Sequence, residues 1–269
     1  MSRAALACVL TGPALLALAA PLHAQDHADL VTDRPDATES AVTVPRGSLQ
    51  MEFGTLWFRD RPPGARLSAL EAPGTLVRMG LREPFELRLA WSGWGRTIVE
   101  DGSERIRTAG FADPELGAKW HVLGHRGTDV ALIGHVTLPV GDEAVGARGA
   151  DPALVLAVAH DFGAGVGFGW NVGYSVVTVE HPAGGTRTLG RWNYSGSLGF
   201  TLAPRWGAFV EVFGDVAGSD RGPSAHLVQG GVAWRPVPLV QIDTAAGAGL
   251  NAGAPDRLVT LGLSFRWLK

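Results

Sequence analysis

Cysteine is nearly missing from the 269 residues: there is one, Cys8. It sits in an apolar run that follows Arg3 and extends from Ala4 to Ala20, interrupted only by Thr11, Gly12 and Pro13. That arrangement reads as a secretory leader cleaved after Ala24 of Leu22-His23-Ala24. Cys8 stands too near the start of the run to be a lipid attachment site. A secreted chain of roughly 245 residues without cysteine cannot rely on disulfides, so something else must stabilise it. Past the leader no apolar run approaches the roughly 18 residues that a membrane helix needs, which excludes a helical membrane protein. A surplus of positive charge is missing too. Lys and Arg number 23 against 26 Asp and Glu, for a net charge of -3 and a pI near 6.2. Nucleic-acid binding would call for a basic face. Tyrosine is scarce, with two copies beside nine tryptophans. Glycine is abundant instead: 37 residues, about twice the usual share. Glycine weakens helices and suits strands whose backbones approach closely.

Alternation of apolar with polar or small residues marks twelve segments, at 48–59, 74–82, 85–96, 113–123, 128–139, 153–162, 165–179, 187–202, 206–217, 225–235, 238–250 and 257–268. Most suit a tilted membrane strand of about 9 to 11 residues. In the last, Val259, Leu261, Leu263, Phe265 and Trp267 share one face, opposite Leu258, Thr260, Gly262, Ser264 and Arg266. In the fourth, Leu116, Ala118, Trp120 and Val122 oppose Glu115, Gly117, Lys119 and His121. A β-sandwich also alternates, so the links between strands must decide. Longer polar links at 60–73, 97–112, 140–152 and 218–224 take turns with tight ones such as Glu83-Pro84, Gly163-Ala164 and Pro236-Val237. An up-and-down barrel sorts its links in this way, with short turns at the periplasmic rim and longer loops outside. The expected fold is therefore all-β: an antiparallel transmembrane barrel of about 12 strands over 47–269, preceded by the leader 1–24 and a periplasmic segment or plug at 25–46. Trp57, Phe58, Trp91, Trp94, Trp170, Trp206, Trp234 and Trp267 near strand ends suggest an interfacial girdle, with ordinary cross-strand packing as the alternative.

Several stretches resemble the MetA-pathway phenol-degradation family of outer-membrane, transporter-like proteins. They are Thr32-Asp33-Arg34-Pro35-Asp36-Ala37-Thr38-Glu39-Ser40, Asp113-Pro114-Glu115-Leu116-Gly117-Ala118-Lys119-Trp120, Val136-Thr137-Leu138-Pro139-Val140-Gly141-Asp142, Phe209-Val210-Glu211-Val212-Phe213-Gly214, and Gln241-Ile242-Asp243 leading to Gly249-Leu250-Asn251. Their order and spacing carry the resemblance across nearly all of the chain after the leader. It implies a barrel that moves small, aromatic compounds across the outer membrane, and it carries over no catalytic or ligand residues. The sequence closes Phe265-Arg266-Trp267-Leu268-Lys269, where such barrels usually end on an aromatic residue.

With polar faces inward, the lumen receives Glu52, Arg78, Arg82, Glu86, Arg88, Glu115, Lys119, Arg191, Glu211, Asp215, Gln241, Asp243 and Arg266. On the lipid side each Arg or Lys would cost about 2 to 4 kcal/mol at mid-membrane. These side chains either bridge a filled barrel or line a thin wet channel. Asp33, Arg34, Asp36 and Glu39 form a polar stretch that could enter the lumen as a plug, with Arg34 on a lumen carboxylate, or remain a turn-rich linker. Ser195 or Ser197 with His121, His135 or His160 are the candidates for nucleophilic catalysis, but no Gly-x-Ser-x-Gly elbow is present. No histidine pair has metal-ligand spacing with supporting carboxylates. The glycines at 163, 165, 167, 169 and 173 lack the strand-loop-helix context of a phosphate loop. The expectation is a non-enzymatic, cofactor-free channel that passes or binds small hydrophobic molecules, in which the outer loops capture solute and the lumen charges select. Its partners would be the outer-membrane lipid bilayer, a small-molecule solute and the barrel-assembly machinery. A partner-binding barrel with a closed lumen is the alternative, followed by a lipid-modifying enzyme.

Overall fold

The computed structural model describes residues 30–181, 184–217 and 223–267, so the leader expected at 1–24 lies outside the described residues. Every regular element among them is an antiparallel strand. They are β1 (Leu49–Asp60), β2 (Ala65–Arg82), β3 (Phe85–Trp91), β4 (Trp94–Asp101), β5 (Glu104–Phe111), β6 (Pro114–His125), β7 (Thr128–Thr137), β8 (Asp151–Asp161), β9 (Val166–Glu180), β10 (Thr186–Ala203), β11 (Trp206–Ala217), β12 (Ala225–Val237), β13 (Val240–Gly249) and β14 (Arg257–Trp267). Each pairs with its sequence neighbour from β6 to β14, and β6 pairs with β3 and β3 with β2. β1 bonds to β14 on one side and to β2 on the other, which closes a twelve-strand up-and-down barrel. Closure leaves no edge in the ring, so no row of backbone groups goes unpaired in lipid.

The polarity of the wall is inverted relative to a water-soluble protein. Leu116, Trp192, Val210 and Leu261 are among the many large apolar side chains left exposed, while Glu52, Arg78, Glu86 and Lys119 are fully buried. On β14 the odd positions from Val259 to Trp267 face out, whereas Leu258, Thr260, Ser264 and Arg266 are buried. An apolar sheath with an enclosed polar interior is stable only against hydrocarbon. Trp206 and Trp234 stack at 5.8 Å on adjacent strands beside the short turns, where a girdle ring belongs. Phe58 is a correction to the expected girdle. It has the inward parity of Glu52 and is buried in the barrel's interior.

Two expected loops are largely strand. Of 60–73, residues from Ala65 onward belong to β2, and 97–112 forms most of a β4–β5 hairpin. The lower half of β2 pairs with β3 and its upper half with β4, so the hairpin continues the wall beyond the ring. The ladder breaks at one level, where Pro73, Ser92-Gly93 and Ala112-Asp113-Pro114 lie side by side. Proline has no N–H to give to a ladder, and Gly93 turns there with φ of 81°. The 138–150 loop is fastened at this break. Asp113 accepts bonds from Gly141 N at 2.5 Å and from Ala147 N, and Asp142 Oδ2 accepts one from Phe111 N at 2.7 Å. Asp113, Gly141 and Asp142 belong to two of the stretches singled out in the sequence. Asp113→Ala should lower barrel stability by about 2 kcal/mol through loss of charge-assisted bonds. It should also expose 138–150 to protease. Unchanged thermal unfolding and unchanged cleavage would rule out this role for the clamp.

Candidate functional site

Residues 30–44 run through the barrel's interior and touch strands on every side of it. Asp33 N donates to both oxygens of Glu52 on β1, at 2.9 and 3.1 Å. Val44 N donates to Glu86 on β3 at 2.7 Å, and Glu39 N to Asn171 on β9 at 2.6 Å. Ala37 N donates to Glu211 on β11 at 2.8 Å. Gln241 on β13 donates to Thr32 at 3.0 Å. Only a segment inside a cylinder can meet all of these walls. Leu30, Thr32, Asp33, Asp36 and Ala41 are fully buried, and Ala41 packs on an apolar inner patch of Ala131, Ile133, Val155, Ala157 and Ala159.

Three anchor points hold the segment. At the first, Asp33 Oδ2 faces Arg88 at 2.6 Å, Lys119 at 3.1 Å and Arg78 at 3.3 Å. Arg78 also forks onto Glu86 at 2.8 and 2.9 Å, and Lys119 donates to Ser40 O at 2.8 Å. Burial by itself would raise the Asp33 carboxyl. Arg78, Lys119 and Arg88 outweigh it and hold the group well below the usual carboxylate range. At the second, Arg34 Nη2 donates to Thr260 at 2.8 Å and to Asp243 at 3.2 Å. Its guanidinium lies over Gly54 and Gly262, which are register partners on β1 and β14, and a Cβ at either would overlap it. Nε and Nη1 of Arg34 have no partner among the described residues.

At the third, Thr38 Oγ1 donates to Glu211 at 2.5 Å and lies 2.9 Å from Ser195 Oγ. Arg88 Nη2 comes within 2.7 Å of Glu39 Oε2. Asp36 is buried here without a cation. The hydroxyl of Ser197 is the polar group that offsets its burial, and only weakly. Burial, and then the like charge of Glu211, push the Asp36 carboxyl well above the usual range. Burial also raises Glu39, against the pull of Arg88.

The structure brings together Glu52, Arg78, Glu86, Arg88, Lys119, Glu211, Gln241 and Asp243 from the expected lumen set with Asp33, Arg34, Asp36 and Glu39. Arg266 is buried on β14 and donates to Gln50 at 2.8 Å. Glu115 also faces in, with His135 Nε2 at 3.6 Å. Arg191 and Asp215 pair with each other nearer the loop end, where Arg191 also reaches Pro223 O at 3.2 Å. Arg82 is a correction. A register shift between Gly80 and Arg82 turns it out of the lumen, and it lies exposed over the ring of Phe85 at 5.5 Å. Gln50, Asn171, Ser195, Gln229 and Thr260 line the interior too, and sequence reasoning by charge passed over them. Their parity on the strands was the available signal.

Above this polar floor, toward the long loops, one side of the interior is apolar. Phe58, Leu67, Ala69, Ala225, Leu227 and Leu258 form a buried cluster with Ala254 of the β13–β14 loop. No hydrogen bond joins Ser195 or Ser197 to a histidine among the described residues. His121 bonds Asp129 at 2.8 Å and His160 bonds Thr128 at 3.1 Å. No group of three His, Cys, Asp or Glu there could hold a metal ion.

No curated protein matches the chain in sequence. Among solved structures it is similar to an outer-membrane channel from Pseudomonas putida F1, with a TM-score of 0.64 and 11% identity over 84% of this chain and 98% of that one. It is also similar to the translocator domain of the autotransporter NalP from Neisseria meningitidis, with a TM-score of 0.56 and 11% identity over 84% and 91%. For the NanC porin the values are 0.53 and 10%, over 81% and 98%. At such identities the likeness speaks for the fold, an outer-membrane barrel. The family described as "Putative MetA-pathway of phenol degradation" matches residues 32–267, and the chain belongs to that family.

Proposed function

We propose that the protein is a passive outer-membrane channel for small apolar molecules, aromatic ones included, and that residues 25–46 act as its plug. The observation that carries this reading is the division of the interior. An apolar cluster lies toward the loop end, above a floor crossed by a single segment whose contacts with the wall run largely through side chains. An apolar solute gains by leaving water for the upper wall at about 25 cal/mol per Å² of surface covered. It then proceeds only when the segment shifts. The family's description in terms of phenol degradation and the channel among the similar structures both support the reading. Export through a cleaved leader and insertion by the barrel-assembly machinery complete it.

The dense bonding of the segment favours a second reading, a barrel with a permanently closed lumen. Asymmetric bilayers with lipopolysaccharide in one leaflet separate the two. Uptake of a labelled monoaromatic compound should run several-fold faster with the protein than without it. Equal uptake, together with silence in single-channel recordings, would leave the closed barrel standing.

A further inference from the structure

The outward faces of β14, β1, β2, β4 and β5 share a cationic stripe that the channel reading does not use. Register places Arg257 opposite Arg59, Arg59 opposite Ser68, Ser68 opposite Ile98 and Ile98 opposite Arg107. Arg66 stands two residues before Ser68 on the same outward face of β2, and Arg96 two before Ile98 on that of β4. The stripe is about 19 Å long at roughly 4.8 Å per strand. Arg59, Arg66, Arg107 and Arg257 are exposed. None of the five makes an ion pair or side-chain hydrogen bond among the described residues; the outward Glu100 stands opposite Arg66 in the register and faces Arg105 at 3.6 Å, which leaves Arg59, Arg107 and Arg257 without an outward acid opposite them. At the same end of β7, β8, β11, β12 and β13 the outward residues are Val136, Pro152, Val216, His226 and Ala248, so the arginines belong to one sector.

Two features of the stripe suit a phosphate of the outer leaflet. Arg59 and Arg257 are directly opposed across a strand pair, where like charges destabilise unless something neutralises them. The next outward pair toward mid-membrane is Trp57 and Val259, the upper border of the lipid-facing sheath, and Arg59 lies 5.0 Å from the Trp57 ring centroid. The stripe therefore sits at the headgroup level of the leaflet on the long-loop side, which is the outer one. Guanidinium groups bind phosphate in a fork, and acyl chains below the phosphate would lie on Trp57, Leu70 and Val259. We propose that this sector is a docking site for a phosphorylated glycolipid of the outer leaflet, held by Arg59, Arg257 and Arg107 through its phosphate groups.

Native mass spectrometry of the purified protein in detergent tests the site, with lipid A, dephosphorylated lipid A and inorganic phosphate as probes. Phosphorylated lipid A should bind. The Arg59→Gln, Arg107→Gln, Arg257→Gln variant should bind it at least about tenfold more weakly, tenfold being the scale of a single lost charge-assisted bond. Lysines at the same three positions keep the charge without the fork, so they should bind the lipid more weakly than the arginines but more tightly than the glutamines, and keep the fold if glutamines do not. The site is refuted if dephosphorylated lipid A binds as well as the phosphorylated form, or if the glutamine variant keeps full occupancy. Displacement of the lipid by millimolar inorganic phosphate would reduce the stripe to a simple anion site and overturn the lipid assignment equally.

Discussion

Conductance across planar bilayers should rise several-fold when Gly54 and Gly262 are both replaced by valine. The two glycines face each other on β1 and β14 and leave the space in which the Arg34 guanidinium lies. Valine is at home in a strand, so the wall keeps its ladder. The new side chains occupy the guanidinium's place. Arg34 must then give up Thr260 and Asp243, and Asp243 is left buried without its cation. Overpacking alone costs about 1 to 3 kcal/mol. The unpaired buried carboxylate adds to that. The barrel's own backbone bonds do not pass through Arg34, so the strain falls on the seating of residues 30–44. Adding Arg34→Ala to the valine pair removes the overlap and should bring conductance part of the way back. Heat-modifiability on gels reports whether the barrel is closed. A closed valine variant that conducts no better than the natural protein would mean that the segment is not the obstruction.

Much of the barrel was legible because lipid and lumen impose opposite demands on successive residues. Leu116 and Trp120 against Glu115 and Lys119 could be sorted without knowing any partner, and the structure has them on those faces. The reading failed where the chain leaves the membrane. Arg105 and Arg107 stood in the expected polar link 97–112, yet beyond the apolar sheath a strand carries charge outward at no cost in lipid, and β4 and β5 do so. Arg82 failed for another reason. A period of two holds only while the register does, and the irregularity beside the Glu83-Pro84 turn reverses the side on which Arg82 falls.

The polar stretch at 33–40 stood out in the sequence, but its partners did not. Arg34 meets Thr260 across 226 positions and Thr38 meets Glu211 across 173. Closing the barrel is what brings β1 to β14, and so what makes one floor from Gly54 and Gly262. No local pattern shows this. The same holds for the charges. Glu86 and Arg78 lie diagonally across the β2–β3 hairpin, Glu86 opposite Gly80 and Arg78 opposite Arg88, and could be paired on paper, whereas Asp33 gathers cations from three strands that only the folded ring assembles.

Opening should have a minimum near the ordinary aspartate pKa of about 3.9 and rise on both sides of it. Asp33 governs the acid side. Its carboxyl is held well below the usual range when seated, so its stabilisation is present above the unseated value and is lost as pH falls through the lowered one. Arg78, Arg88 and Lys119 are then left facing one another around a neutral acid. Asp36 governs the other side with the opposite sign. Burial raises it, so its contribution is complete below the unseated value and is lost as pH rises through the seated one. An ionised Asp36 would face Glu211, with Asp33 and Asp243 also nearby and no cation of its own. Glu39, shifted up as well, steepens the same limb, though Arg88 moderates it. Single-channel open probability measured from pH 2 to 9 should therefore trace a valley. Asp36→Asn keeps the size of the side chain while removing the ionisable proton. It should flatten most of the alkaline limb and leave the protein more firmly closed at neutral pH, with the acid limb unchanged. An alkaline limb as steep in Asp36→Asn as in the natural protein would show that the buried acid beside Glu211 does not govern the seating of the segment.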